Sequence, residues 1–82
     1  MVPELRLVRY FVAVAQERNI TRAAERLHLA QPSLSAAMKQ LEDQLGVALL
    51  DRSARGLALT PAGELLLERG RELLEHAEAV VA

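Results

Sequence analysis

The sequence predicts a mainly α fold: three helices, a short β-hairpin and a long final helix. Three observations predict it. Apolar residues return every three or four positions along separate stretches of the chain, which is the helical period. Pro3, Pro32 and Pro61 stand where helices would open, and Gly46 and Gly56 where a helix and a hairpin tip would close. Tyr10 and Phe11 are the only aromatic residues, so a core drawn from the 51% hydrophobic content consists of Leu, Val and Ala, which suits closely packed helices. At 82 residues the chain has room for one domain with one small core.

The first helix is expected from about Pro3 to Glu17. Proline suits a first turn, Glu4 suits the positive helix end, and Leu5, Val8, Phe11 or Val12, and Ala15 follow at helical spacing. The polar pair Arg18-Asn19 ends it. Thr21 is placed to cap a short second helix, Arg22 to Leu27, with Ala23, Ala24 and Leu27 on one face. His28-Leu29-Ala30 connects it to a third helix whose first turn holds Pro32. Leu34, Met38, Leu41 and Leu45 form that helix's apolar stripe, and Gly46 closes it with Val47 available for the accompanying contact. Val47 to Leu50 and Leu57 to Leu59 read as short strands around a polar tip, Asp51 to Gly56. Thr60-Pro61 then opens a helix that runs to the end of the chain.

Composition narrows the function. Without cysteine there is no disulfide framework, thiolate nucleophile or thiolate metal site, and the distant His28 and His76 make a poor metal set. His28 reads as a turn residue tolerant of unusual backbone angles, and His76 as a solvated one. No apolar stretch approaches a bilayer span, and Glu4, Arg6 and Arg9 break any signal-peptide core, so a cytoplasmic protein without a membrane role is expected. The formal net charge of −1 argues against a polyanion partner, but its distribution does not. Arg18 to Arg55 holds six basic residues against four acidic ones, whereas Pro61 onward holds five acids against Arg69 and Arg71. Glu64, Glu68, Glu72 and Glu75 read as a solvated helix face. Ser33 and Ser35 have no general base in their own motif, so no enzyme and no cofactor is expected.

The short helix, three-residue turn and longer helix form a helix-turn-helix unit. Ala24 is small where the two helices cross, and Leu27, Leu29 and Leu34 bridge them. Opposite the Leu34 stripe, Gln31, Ser33, Ser35, Ala36 and Lys39 are short or polar, which leaves a face able to lie in a DNA major groove. Arg52 and Arg55 on the hairpin tip would straddle the adjacent backbone. The same pattern also suits two amphipathic helices in a small bundle. A protein-interaction or dimerisation module is the alternative in another class, favoured by the negative net charge and opposed by these exposed residues.

Five linked motifs then resemble one family. Phe11-Val12-Ala13-Val14-Ala15, Thr21 through Leu29, Gln31-Pro32-Ser33-Leu34-Ser35 with Lys39-Gln40-Leu41-Glu42 and Leu45-Gly46-Val47, Leu49-Leu50-Asp51-Arg52, and Leu59-Thr60-Pro61-Ala62-Gly63 are similar to the opening of LysR-type transcriptional regulators. The resemblance covers about residues 4 to 82. It implies a winged helix-turn-helix over residues 3–60, with the helix-turn-helix motif at about 19–38 and Gln31 to Leu45 as recognition helix, and a linker helix over 61–82 that pairs two subunits. It further implies a ligand-sensing domain that this chain lacks, through which alone a small-molecule effector would act, and a homotetramer for the full-length protein. By the same resemblance, Gln31, Pro32, Ser33, Ser35, Ala36 and Lys39 face bases and phosphates of double-stranded DNA, Thr21 and Arg22 touch its backbone, and Arg52, Ser53 and Arg55 form the wing contact.

Three residues depart from the family pattern. Ala30 stands where serine is usual, removing a cap from the recognition helix. Ala36 offers only a methyl where a basic residue is frequent, and Leu50 replaces a phenylalanine. The final helix also carries a dimerisation signal. Over about 33 Å at 1.5 Å per residue it is too long for one small domain to cover. Leu66, Leu73, Ala77 and Val80 make one seam, with Gly70 where two backbones would approach, and Leu67, Leu74 and Val81 make a second. One line is expected to cover the domain and the other to meet a partner, setting two recognition helices against a pseudo-palindromic operator.

Overall fold

The computed structural model describes residues 4–53 and 56–81. Its elements are α1 (Leu5–Glu17), α2 (Ile20–Leu27), α3 (Gln31–Leu45), β1 (Leu50–Asp51), β2 (Ala58–Leu59) and α4 (Pro61–Val81). The mainly α architecture is the expected one. The roles expected of Pro3, Ala54 and Arg55, and of the Val81 side chain, lie outside the described residues.

Helix α1 is the centre of the molecule. Leu7, Phe11 and Val14 are buried in the main core with Ala23 and Ala24 of α2, Leu34, Met38 and Leu41 of α3, and Leu49 and Leu50. Val8 and Val12 instead meet Leu74 of α4. The helical spacing predicts a stripe through Leu5, Val8, Phe11 or Val12, and Ala15. In the structure Leu5 is exposed and Leu7 is fully buried, because α1 is covered from two sides and buries more than one face.

The helix ends differ in detail from their reading in the sequence. Glu4 precedes α1 in an extended conformation instead of lying within its first turn, and Arg18 closes the helix in the left-handed region at φ 51°. Asn19, not Thr21, caps α2: its side-chain oxygen accepts a hydrogen bond from the Arg22 N–H at 2.9 Å. Thr21 sits two residues further in, exposed. His28 takes φ 58° at the end of α2, the tolerant turn role expected of it.

Helix α3 spans the predicted residues and ends at Gly46, whose φ of 70° suits glycine. Its stripe is buried from Leu34 through Leu41, with Leu45 packed at the margin. Val47 remains 44% exposed, so the contact expected to seal this helix end is incomplete. At the other end Ala30 provides no side-chain cap, and among the described residues no other side chain takes over. Ala30→Ser should therefore raise stability by about 0.5–2 kcal/mol, read as a higher denaturant midpoint at unchanged m. An unmoved midpoint would show that serine cannot reach these amides.

The hairpin strands are shorter than the apolar runs that predict them. Leu50 pairs with Leu59 and Asp51 with Ala58, antiparallel. Val47 to Leu49 are not strand residues: they form the link from α3, held by backbone bonds from the Val47 amide to the Glu42 carbonyl and from the Thr60 amide to the Leu49 carbonyl, and by the Glu42 and Thr60 side chains. Thr60 caps α4 as expected, its hydroxyl accepting from the Gly63 N–H at 3.0 Å while donating to the Ala48 carbonyl at 2.6 Å. Among the described residues no helix is long and apolar enough to cross a membrane.

Candidate nucleic-acid interface

The outer face of α3 emerges from the packing of its inner one. With Leu34, Met38 and Leu41 turned into the core, Gln31, Pro32, Ser33, Ala36 and Lys39 are exposed and Ser35 is half-buried. Gln40, not singled out in the sequence, is exposed on this helix as well. Lys39 is paired with Asp43 one turn on at 3.4 Å, but both side chains are largely solvated, so the pair is weak and exchangeable.

The hairpin brings Arg52 and Ser53 to the same side. A cleft of about 320 Å³ is bounded by Gln31 and Ser35 of α3, Arg52, Ser53, Gly56 and Leu57 of the hairpin, and Ile20 at the start of α2. Residues of the helix-turn-helix and of the hairpin thus converge on one groove. Thr21 and Arg22 lie exposed in the first turn of α2, where amides lack intrahelical acceptors. Among the described residues Arg22 and Arg52 form no salt bridge, leaving both guanidinium groups available to an anion.

One residue behind this face was missed in the sequence. The Glu42 carboxylate, on α3, accepts hydrogen bonds from the Leu49 and Leu50 amides at 2.7 and 3.1 Å. A signal was present: a carboxylate in the last turn of a helix opposes the helix dipole and needs another partner. Asp43 finds Lys39, and Glu42 finds the backbone entering the hairpin.

The residues expected to mediate dimerisation divide unevenly. Leu66 and Leu67 are partly buried against the domain's own core. Leu74 is buried against Val8 and Val12. Gly70 is also taken up within the chain: a Cβ there would meet Val8 and Val12 methyls at 3.1 and 3.4 Å, so this glycine accommodates α1 rather than leaving room for a partner backbone. Ala77 is half-buried. Among the described residues, the exposed large apolar side chains of α4 are Leu65, Leu73 and Val80, exposed by 55%, 46% and 87%. Leu65, absent from the expected seam, also borders an apolar groove with Leu45, Val47, Leu49, Ala62 and Leu66. It was missed because Leu65, Leu66 and Leu67 are consecutive leucines, and only docking on α1 shows which of them faces outward.

Three helices packed around α1, with a two-stranded hairpin beside the third, define a winged helix-turn-helix domain. The family described as "Bacterial regulatory helix-turn-helix protein, lysR family" matches residues 5–64, and the chain belongs to that family. It is 57% identical over 75 residues to the Hca operon transcriptional activator HcaR of Escherichia coli, covering 92% of this chain and 25% of that protein. It is 48% identical over 79 residues to the HTH-type transcriptional regulator BsdA of Bacillus subtilis, covering 95% and 27%. The chain thus spans about a quarter of the length of the curated relatives it matches. Among solved structures it is similar to the BenM_DBD complex with catB site 1 DNA, at TM-score 0.92 and 42% identity over 96% of this chain and 89% of that one. It is likewise similar to the CbnR_DBD–DNA complex, at TM-score 0.90 and 47% identity over 95% and 90%.

Proposed function

We propose that this chain binds double-stranded DNA in a sequence-dependent manner, as the DNA-binding end of a bacterial transcriptional regulator. The observation that carries the proposal is the single groove formed by the exposed face of α3 and the Arg52–Ser53 side of the hairpin, in a domain similar to two solved with DNA. Helix α3 lies in the major groove, with Gln31, Pro32, Ser33, Ser35, Ala36 and Lys39 toward bases and phosphates. Thr21 and Arg22 meet the backbone from α2. Arg52, Ser53 and Arg55 meet it from the wing, on the phosphates or in the minor groove.

Residues 3–60 serve as this reading unit and 61–82 as a helix that pairs two copies over a pseudo-palindromic operator. The remaining three quarters of the relatives' length would hold an effector-sensing domain and further subunit contacts, up to a tetramer, in the cytoplasm. The exposed Leu65, Leu73 and Val80 support the pairing role.

The division of labour between bases and backbone gives the test. Gln31→Ala should relax preference at one position per half-site, costing about 1–3 kcal/mol there. Arg52→Ala should weaken binding to selected and random DNA alike and lower the salt slope by about one. Fluorescence anisotropy at several salt concentrations separates the two. Equal losses on specific and random DNA for both variants would refute the assignment.

A further inference from the structure

The segment Ala48–Leu50 is a junction where three elements meet. Glu42 of α3 accepts from the Leu49 and Leu50 amides through one carboxylate oxygen. The Thr60 amide, at the entry to α4, donates to the Leu49 carbonyl at 3.0 Å, and its hydroxyl donates to the Ala48 carbonyl. Leu50 then pairs with Leu59 as the hairpin begins, and Arg52 follows two residues later. The two-residue strands are too short to hold a hairpin in place by their own ladder. The position of Arg52 relative to α3 therefore depends on this junction: the core packing of Leu49 and Leu50, the Thr60 bonds and, among the described residues, the one α3 side chain that hydrogen-bonds the segment directly.

We infer that Glu42 is a positioning residue for DNA binding: from the inner side of the recognition helix it sets the wing's register, and so places Arg52 on the backbone beside the groove that α3 reads. This rests on the DNA-binding reading proposed above. What the role requires is reach and an acceptor oxygen, not negative charge. A carboxamide keeps both, whereas aspartate keeps the charge and is one carbon short.

The experiment compares wild type, Glu42→Gln, Glu42→Asp and Arg52→Ala on a selected site and on random DNA across a salt series, at a temperature where each variant is folded. Wild-type binding to neither DNA would refute the DNA-binding reading itself, independently of Glu42. Given wild-type binding, Glu42→Gln should keep the wild-type salt slope. Glu42→Asp should lower it by about one, as Arg52→Ala does, with the base preference read by Gln31 intact. The combination Glu42→Asp with Arg52→Ala should lose no more slope than either alone. A merely structural role would lower the melting temperature of Glu42→Asp and leave its slope at the wild-type value, which would overturn the inference. So would loss of slope in Glu42→Gln with retention in Glu42→Asp. If Glu42→Asp does not fold, amide hydrogen exchange of the wild type decides. The Leu49 and Leu50 amides should gain protection when DNA binds, and unchanged exchange would overturn the assignment.

Discussion

Gly63→Ala should destabilise the domain by about 2–3 kcal/mol, although alanine is the better helix former by roughly 1 kcal/mol. Gly63 is buried in the first turn of α4, and a Cβ built there overlaps the carbonyl oxygen of Leu49. That carbonyl has nowhere to go. It accepts from the Thr60 amide, the Leu49 amide is bonded to Glu42, and the Leu49 side chain is only 2% exposed in the core. Relief requires α4 to lift from the junction or the link to the hairpin to shift, and either move breaks several of these bonds. For a domain of this size the melting temperature should fall by roughly 10–20 °C. Gly70→Ala is the matched control: its Cβ meets only valine methyls, at 3.1 and 3.4 Å, so its cost should be smaller. Thermal denaturation of both variants checks the order. A Gly63→Ala variant as stable as wild type, or less perturbed than Gly70→Ala, would show that α4 is not seated on Leu49 as described.

The second large effect concerns pairing. Leu65→Glu combined with Leu73→Glu should convert a dimer at tens of micromolar into a monomer that keeps its fold. The choice follows from the structure: Leu66 is partly buried in the domain's own core, so charging it would confound dissociation with unfolding. Leu65 and Leu73 lie eight positions apart on α4, on a helical face left in water by a single copy. Glutamates there would stand in an already acidic helix and oppose a second copy by like-charge repulsion. Because two linked half-site contacts gain from effective concentration, the monomeric variant should bind a two-half-site DNA about a hundredfold more weakly or worse, and a single half-site unchanged. Light scattering with circular dichroism reads the first part, and titration of the two DNAs the second. A wild-type monomer at that concentration, or a double variant that still pairs, would place the interface elsewhere.

Much of this architecture was legible because its signals are local. Pro32 and Gly46 bracket α3, and the period of Leu34, Met38, Leu41 and Leu45 orients it, so the exposed face carrying Gln31 and Lys39 follows without tertiary information. His28 and Thr60 were equally readable, since left-handed turns and N-caps are properties of short stretches. The misses share the opposite character. Asn19 and Thr21 are both competent caps, and only the observed start of α2 selects between them. The two buried faces of α1, the α1-facing notch at Gly70 and the outward turn of Leu65 all depend on where α4 docks, a contact between segments far apart in the chain. Glu42 reaches forward seven and eight residues to two amides, and Gly63 is required by a carbonyl fourteen residues before it. Neither partnership has a period for a sequence to display.

As proposed, α3 and the wing read DNA sequence in two paired copies. The most direct test is to select bound duplexes from a random double-stranded pool with the isolated chain and to sequence the survivors. The expected result is an enriched motif with dyad symmetry, its half-sites separated by about one helical turn or a multiple of it, and a Gln31→Ala pool that loses preference at one symmetry-related pair of positions. A bound pool with no sequence enriched over the input, or a motif that survives Gln31→Ala unchanged at every position, would contradict it.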